Sequence, residues 1–352
     1  MTTIDKTLPV LVTGATGYVA GWIVKKLLES GTPVHAAVRD PQNKSKIAHL
    51  EKIAAETKTP IKFFKSDLLK DGSYAEAMQG CQLVYHTASP FTSNFKDAQK
   101  DLVDPAVKGT ANVLNEANRT PSVRRVVLTS SVAAIYSDAI DVAATPKGIL
   151  TEEVWNTTSS LEHNAYSFSK TLAEQEAWRI AKAQNQWDLV VVNPSFVLGP
   201  MLNPTETTSE SFTLLKQMGD GGFRFGVPNV GIGVVDVRDL ADIHFSAGFT
   251  PQAAGRNISN GHNSSFVEMA AILKQNFGKT HKISDKPLPK WLLVLFGPLL
   301  NKSLTRKYIR NNVNHAWKAD NSKSIKELGA HYRPLSETMV DAFQVLIDHK
   351  IL

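Results

Sequence analysis

The chain of 352 residues has a single cysteine, Cys81, so no intrachain disulfide can form and a reducing compartment suits it. Cys81 stands just before an apolar strand and reads as a packed thiol rather than a nucleophile. No segment is both apolar and long enough to cross a bilayer; the most lipophilic stretch, 291–300, is short, contains Gly297-Pro298 and reads as a core or lid helix, with contact to a membrane surface as the lesser alternative. The start, Met1-Thr2-Thr3-Ile4-Asp5-Lys6, lacks the apolar run of a secretion signal, so the expected location is cytoplasmic with no membrane partner. Basic residues exceed acidic ones, 39 against 33, for a net charge of +6. They read as scattered, without a basic run or a set of stacking aromatics, which argues against a nucleic-acid partner and suits a site for a polyanionic cofactor. The 10 histidines are dispersed and no cluster has metal-ligand spacing, so no metal is expected. Repeats, low-complexity tracts and a clear interdomain linker are absent as well.

What is present is a regular alternation. Short apolar, β-branched runs at 10–13, 34–38, 61–64, 83–86, 125–130 and 189–193 are separated by stretches of helical period at 17–29, 46–56, 74–79, 98–118 and 165–183. Buried parallel strands read as continuous apolar runs, and βαβ units alternate in this way. The expected fold class is α/β, a doubly wound parallel sheet of the Rossmann type, with residues 1–200 as the dinucleotide-binding domain. After Gly199-Pro200 come a polar loop, 203–210, and a glycine-rich stretch, 219–233. Residues 201–352 are expected to form a smaller, mainly helical substrate region, with one short strand near 257–259 and some segments returning to the first domain.

The first strand runs into Thr13-Gly14-Ala15-Thr16-Gly17-Tyr18-Val19-Ala20-Gly21 and then a helix, the context in which a glycine pattern signals a pyrophosphate site. Gly14 allows the tight turn, Gly17 lets the backbone approach the phosphates, and small Ala20 lets the helix pack on the sheet. At the end of the second strand an acidic residue would bind a ribose hydroxyl and an arginine a 2′-phosphate. The chain has Arg39 there, followed by Asp40, with Lys46 close behind, and the reading is NADPH/NADP. Asp67 and Leu68 follow the third strand where an adenine ring would lie, although Asp67 serves equally as a turn cap.

Tyr166-Ser167-Phe168-Ser169-Lys170 places a phenol and an ammonium on one face of a helix, an arrangement that can favour the ionised phenol. Together, Thr13 to Gly21, Asp67-Leu68, Leu128-Thr129-Ser130-Ser131, Tyr166 to Lys170 and Asn193-Pro194-Ser195 resemble the extended short-chain dehydrogenases/reductases over nearly the whole chain. Val38-Arg39-Asp40-Pro41 and Ser169-Lys170-Thr171-Leu172-Ala173-Glu174 are similar to the dihydroflavonol reductase and cinnamoyl-CoA reductase branch, which includes microbial aldehyde and ketone reductases. The resemblance implies a catalytic Ser131, Tyr166 and Lys170. Ser131 would hydrogen-bond the substrate carbonyl, Tyr166 would give the proton, and Lys170 would lower the Tyr166 pKa and hold the nicotinamide ribose. It also implies cofactor contacts from Thr13, Gly14, Thr16, Gly17, Tyr18, Val19, Thr87, Ala88, Ser89, Thr129, Pro194, Ser195 and Val197, and from Tyr166 and Lys170 themselves. Ala106 stands where many members carry an asparagine, and Asn164 to Lys170 departs from the signature of the cinnamoyl-CoA reductases.

Substrate contacts are expected from loops past the strand ends, with Phe91, Val132 and Phe196 as candidates; these apolar positions suit an uncharged aldehyde or ketone. The expected activity is NADPH-dependent reduction of a small-molecule carbonyl compound. A sugar-nucleotide epimerase, a hydroxysteroid-type dehydrogenase and a non-catalytic dinucleotide sensor share the fold. Arg39 argues against the epimerase, and an intact Ser131/Tyr166/Lys170 set argues against the sensor. A homodimer is compatible with the sequence.

Overall fold

The structure is a computed structural model that describes residues 1–89, 95–203, 209–300 and 304–352. Its main sheet takes β1 (Val10–Thr13), β2 (Val34–Val38), β3 (Ile61–Lys65), β4 (Leu83–His86), β5 (Arg125–Thr129) and β6 (Asp188–Pro194). Shorter strands follow: β7 (Phe196–Leu198), β8 (Gly231–Asp236), β9 (Gly255–Ser259) and β10 (His262–Ser265). The seven-stranded parallel sheet has the order β3-β2-β1-β4-β5-β6-β9, so its strand order reverses between β1 and β4. Every residue of β1 and β4 is buried, which is why both read as unbroken apolar runs rather than alternating ones.

Helices α1 (Tyr18–Glu29), α2 (Lys44–Thr57), α3 (Ala75–Met78), α4 (Asp104–Arg119), α5 (Ala139–Ala144) and α6 (Ala165–Lys182) belong to the first part of the chain. The second part adds α7 (Glu210–Gly219), α8 (Val237–Phe249), α9 (Phe266–Phe277), α10 (Lys290–Leu300), α11 (Arg306–Asn312), α12 (Ser322–Leu328) and α13 (Leu335–Asp348). One face of the main sheet is covered by Ala20, Ile23, Val24 and Leu27 of α1 together with Leu240, Ile243 and Ala247 of α8. The other is covered by Val113, Leu114 and Ala117 of α4 and by Ala177 and Ile180 of α6. Sequence expects one helix over 98–118, but the segment opens with a π-type turn, Gln99–Val103, because Pro105 has no N–H for the α-helical ladder.

Beyond residue 200 the chain is less purely helical than expected. β7, β8 and β10 form a three-stranded sheet, with Phe196 paired to Val234 and Ser264 to Ile232. Leu198, Phe212, Val234, Met269, Met339 and Phe343 make a separate core around it. β9 lies beside β6 at the edge of the main sheet and α8 lies on α1, so late sequence completes the early layer.

Candidate functional site

The strands of the main sheet end at a common edge, and the reversal between β1 and β4 leaves a crevice where open α/β sheets bind ligands. Gly14 has φ +63°, and a Cβ there would lie 3.2 Å from the Cα and Cβ of Ala88 at the end of β4. A Cβ on Gly17 would lie 3.1 Å from the Gly14 carbonyl oxygen. The positive φ favours glycine at 14 and the close approaches favour it at both positions, and the turn leads into an α1 whose N-cap, Gly17, offers no side-chain cap and whose first turn has no acidic residue. Such a helix start leaves its backbone amides to a negatively charged ligand, and the cradle fits a dinucleotide pyrophosphate.

Several side chains expected at the cofactor are anchors of this cradle. The Thr13 hydroxyl is buried, 3.0 Å from His86 Nδ1, and accepts from the amides of Thr87 at 3.1 Å and Ala88 at 3.0 Å; the Thr87 hydroxyl donates to the Thr13 carbonyl. Thr16 and Val19 are half-buried, Val19 against the main core. Tyr18 donates to the Gly199 carbonyl at 2.8 Å and packs edge-on against Phe212. Arg39 and Lys46 are exposed. The Asp40 carboxylate, exposed like Arg39 at the end of β2, accepts from the Gln42 amide at 2.9 Å, so one of its oxygens is engaged in the local loop. Asp67 likewise accepts from the Leu69 amide at 2.9 Å, while the Leu68 carbonyl is held by Asn112 at 3.0 Å.

At the ends of β4 and β5 the catalytic candidates meet. α6 starts at Asn164, whose left-handed backbone (φ +53°) turns the chain into the helix just before Tyr166. Tyr166 is hydrogen-bonded to Ser131, and the Lys170 Nζ lies 5.7 Å from the centre of its ring. Ser131 also caps a short helical turn by accepting from the Ala133 amide at 3.1 Å. Lys170 donates to the Ser89 hydroxyl at 2.9 Å, which brings together a catalytic and a cofactor candidate 81 residues apart in the chain. Burial pushes the Tyr166 phenol up to about 12, with the Ser131 hydrogen bond opposing. The lowering expected of Lys170 does not operate here: only the Ser131 hydrogen bond works against burial at Tyr166, and Lys170 is itself pushed down to about 8 by burial.

Thr129 faces the other way: its hydroxyl is 2.8 Å from His244 Nε2, while His244 Nδ1 is 2.8 Å from the Leu240 carbonyl. A carbonyl only accepts, so Nδ1 carries the proton and Thr129 donates to Nε2. The candidates around β6 and β7 are also in use structurally. Pro194 is buried, Ser195 is tied to the Ser259 carbonyl at 3.0 Å through its amide, and Val197 packs on the main core. Among the substrate candidates, Val132 is buried with Ile135, Leu150 and Trp317, and Phe196 is half-buried against the C-terminal core. Phe91 lies outside the described residues, as do residues 204–208 of the polar loop.

Two supports of the site escape sequence reading. Glu174, two turns along α6 from Tyr166, is buried and accepts from Ser130 at 2.5 Å and Asn193 at 2.8 Å, while Arg256 Nε of β9 stands 2.6 Å from its Oε1. Asn193 also donates to the Ser131 carbonyl at 3.2 Å. The second support is Asp138, bonded to His163 at 2.5 Å, Asn164 at 3.0 Å, Asn311 at 2.8 Å and Asn312 at 2.6 Å. Burial works to raise the Asp138 pKa, but bonds from Asn311, His163 and Asn312 hold it below the usual carboxylate range. The only signal of either support in sequence is a polar residue inside an apolar context, which names no partner.

Fold and site together define a nicotinamide-dinucleotide oxidoreductase. Residues 10–258 match the NAD dependent epimerase/dehydratase family. A cinnamoyl-CoA reductase of Medicago truncatula is 40% identical over 269 residues, 76% of this chain and 80% of the relative. Tetraketide alpha-pyrone reductase 1 of Arabidopsis thaliana is 34% identical over 97% of this chain and 96% of its own. Among solved structures, Gre2 of Candida albicans in complex with NADPH superposes with a TM-score of 0.77 at 28% identity, covering 97% of this chain and 99% of that one. The chain belongs to the NAD-dependent epimerase/dehydratase family, the extended short-chain dehydrogenases/reductases, as its motifs imply.

Proposed function

We propose that the protein uses NADPH to reduce the carbonyl group of a small, apolar aldehyde or ketone. The observation that carries this reading is the half-buried Tyr166, whose phenol is hydrogen-bonded to Ser131 and flanked by the Lys170 ammonium. The relatives' names as reductases and the NADPH of the Candida structure support it. A bound nicotinamide cofactor supplies the hydride. Ser131 donates a hydrogen bond to the carbonyl oxygen, and Tyr166 passes its proton to the same oxygen as negative charge builds there. With its pKa raised to about 12, Tyr166 starts protonated at neutral pH, the form a reductase needs. The charged Lys170 stabilises the phenolate left behind and is positioned for ribose hydroxyls. The direct test is NADPH oxidation across aldehydes, α-diketones, β-keto esters and flavonoid-like ketones. Epimerisation of a sugar nucleotide without turnover of any carbonyl compound would overturn the reading.

The Lys170 pKa of about 8 gives a pH signature. For reduction, kcat/KM is expected to be level below pH 8 and to fall roughly tenfold per pH unit above it, as the ammonium is lost. Stability moves the opposite way: the folded pKa lies below the usual 10.5, so the unfolded chain holds more protons between those values and stability rises across that interval. A pH profile of kcat/KM checks the first statement, and Lys170→Arg, which stays charged, should remove the fall. A fall that persists in Lys170→Arg would assign it to another group.

Arg39→Ala is expected to raise the NADPH Kd by roughly tenfold to a hundredfold, the scale of lost charge-assisted hydrogen bonds, while NADH binding changes less than about twofold. Fluorescence titrations of both cofactors measure it. Equal weakening of the two would move the reading of the ribose to Asp40.

A further inference from the structure

The basic residues that look scattered in the sequence have a centre. Between positions 279 and 318 there are nine Lys or Arg and one acidic residue, while the remaining 312 residues hold 30 basic and 32 acidic ones. All of the excess positive charge thus lies in one segment, and α10 is in the middle of it. The inner side of α10 is anchored by buried Leu293 and by Gly297, where a Cβ would come within 2.9 Å of Ile309 on α11. Its outer side carries Trp291, Leu295, Phe296 and Leu299, exposed to 66%, 52%, 49% and 82%. At the rotation of an α-helix these positions span an arc of about 140°. Phe225, 80% exposed, extends the apolar surface: the next residue, Gly226, packs against Leu288 just before α10.

On the segments that flank α10, Lys286, Arg306, Lys307 and Arg310 are exposed, and none forms an ion pair within 4 Å among the described residues; Lys286 is near Asp285, which Lys274 holds at 2.6 Å. Lys290 is engaged inward, donating to the carbonyls of Arg310 and Val313 at 2.8 Å. An apolar helix face with tryptophan, flanked in the chain by exposed cations, matches the interfacial region of an anionic bilayer in both hydrophobicity and charge. A second copy of the chain would bring the same excess of positive charge against itself.

We propose that α10 and the cations around it are a peripheral docking surface for anionic lipid bilayers. Trp291, Leu295 and Leu299 enter the headgroup boundary, and Lys286, Arg306, Lys307 and Arg310 meet the lipid phosphates. Among the described residues no helix is long and apolar enough to cross a membrane, so the contact is with the surface. The expectation of no membrane partner is thereby narrowed to no membrane crossing.

The test is co-sedimentation of the full chain with phosphatidylcholine vesicles and with mixed phosphatidylcholine–phosphatidylserine vesicles. Binding is expected only to the mixed vesicles and should weaken at high salt. Leu295→Glu with Leu299→Glu, and separately Arg306→Gln with Lys307→Gln and Arg310→Gln, should each reduce it by about tenfold or more. Both sets change exposed positions, so NADPH binding should stay at the level of the unaltered protein and report an intact fold. Equal binding to both kinds of vesicle, no binding to either, or indifference to both variant sets would overturn the proposal. So would light scattering that finds a dimer which the Leu295→Glu/Leu299→Glu variant dissociates, since the face would then join two copies.

Discussion

Tyr166→Phe should lower kcat by on the order of a hundredfold or more, the scale of a lost general acid, while cofactor affinity and fold stay as they are. The ring of Tyr166 remains packed in the variant, and only the hydroxyl that bonds Ser131 is removed. Loss of a single buried bond of this kind costs about 1 kcal/mol of stability, too little to unfold a domain. Steady-state kinetics with NADPH, beside a cofactor titration and a thermal melt, separates the outcomes. A kcat near that of the unaltered protein would mean the proton comes from elsewhere, and Ser131 would be the next candidate because it shares the hydrogen bond. A collapse of cofactor binding would instead make Tyr166 part of the binding surface.

Arg256→Met should destabilise the protein by about 3–5 kcal/mol, because it leaves the Glu174 carboxylate buried without its cation. Arg256 reaches Glu174 from β9, donates to the carbonyls of Glu152 and Val154 at 2.9 and 2.5 Å, and lies 4.0 Å over the Trp155 ring. Removing it therefore also strips two carbonyls and an aromatic face. Glu174→Met together with Arg256→Met removes both charges at once and should recover part of the loss, since apolar replacement of a buried pair is tolerated better than breaking it. Urea unfolding of the single and double variants measures the difference. A double variant no more stable than the single would show that the carbonyl bonds of Arg256, and not its charge, hold this region.

The layer that makes the dinucleotide fold was legible because burial on both faces writes itself as continuous apolar runs. Val10 to Thr13, Val34 to Val38 and Leu83 to His86 are strands at the positions the runs mark. The glycine turn and the Tyr166 to Lys170 spacing are local, and local geometry is what a sequence states directly. The second sheet was not legible: β8 carries two glycines among its six residues, which read as loop material, and β10 reads His262-Asn263-Ser264-Ser265, with neither an apolar run nor an alternation. The supports of the site were out of reach for another reason. Glu174 with Arg256, and Asp138 with Asn311 and Asn312, join positions 82 or more residues apart, and no local pattern carries such a pairing. The direction in which Thr129 points, away from the catalytic side and into His244, needed the register of β5.

The seat of β9 beside β6 has a consequence for how the chain is made. β6 ends at Pro194 and its outer neighbour ends at Ser259, so at roughly 5–20 residues per second a ribosome extends the chain for about 3–13 s between the two. Throughout that interval the last residues of β6, all apolar apart from Asn193, border an unpaired row of amides and carbonyls, the kind of edge onto which another strand can add. α8, which shields one face of the same sheet, emerges only in the later part of that interval. A fragment cut at residue 200 would keep the phosphate cradle and the Tyr166 helix yet remain permanently at this stage, with a sticky margin and half a roof. Solubility of the nascent protein thus depends on residues made long after the phosphate cradle, and shortened forms should partition to chaperones or aggregates whatever their affinity for nucleotide.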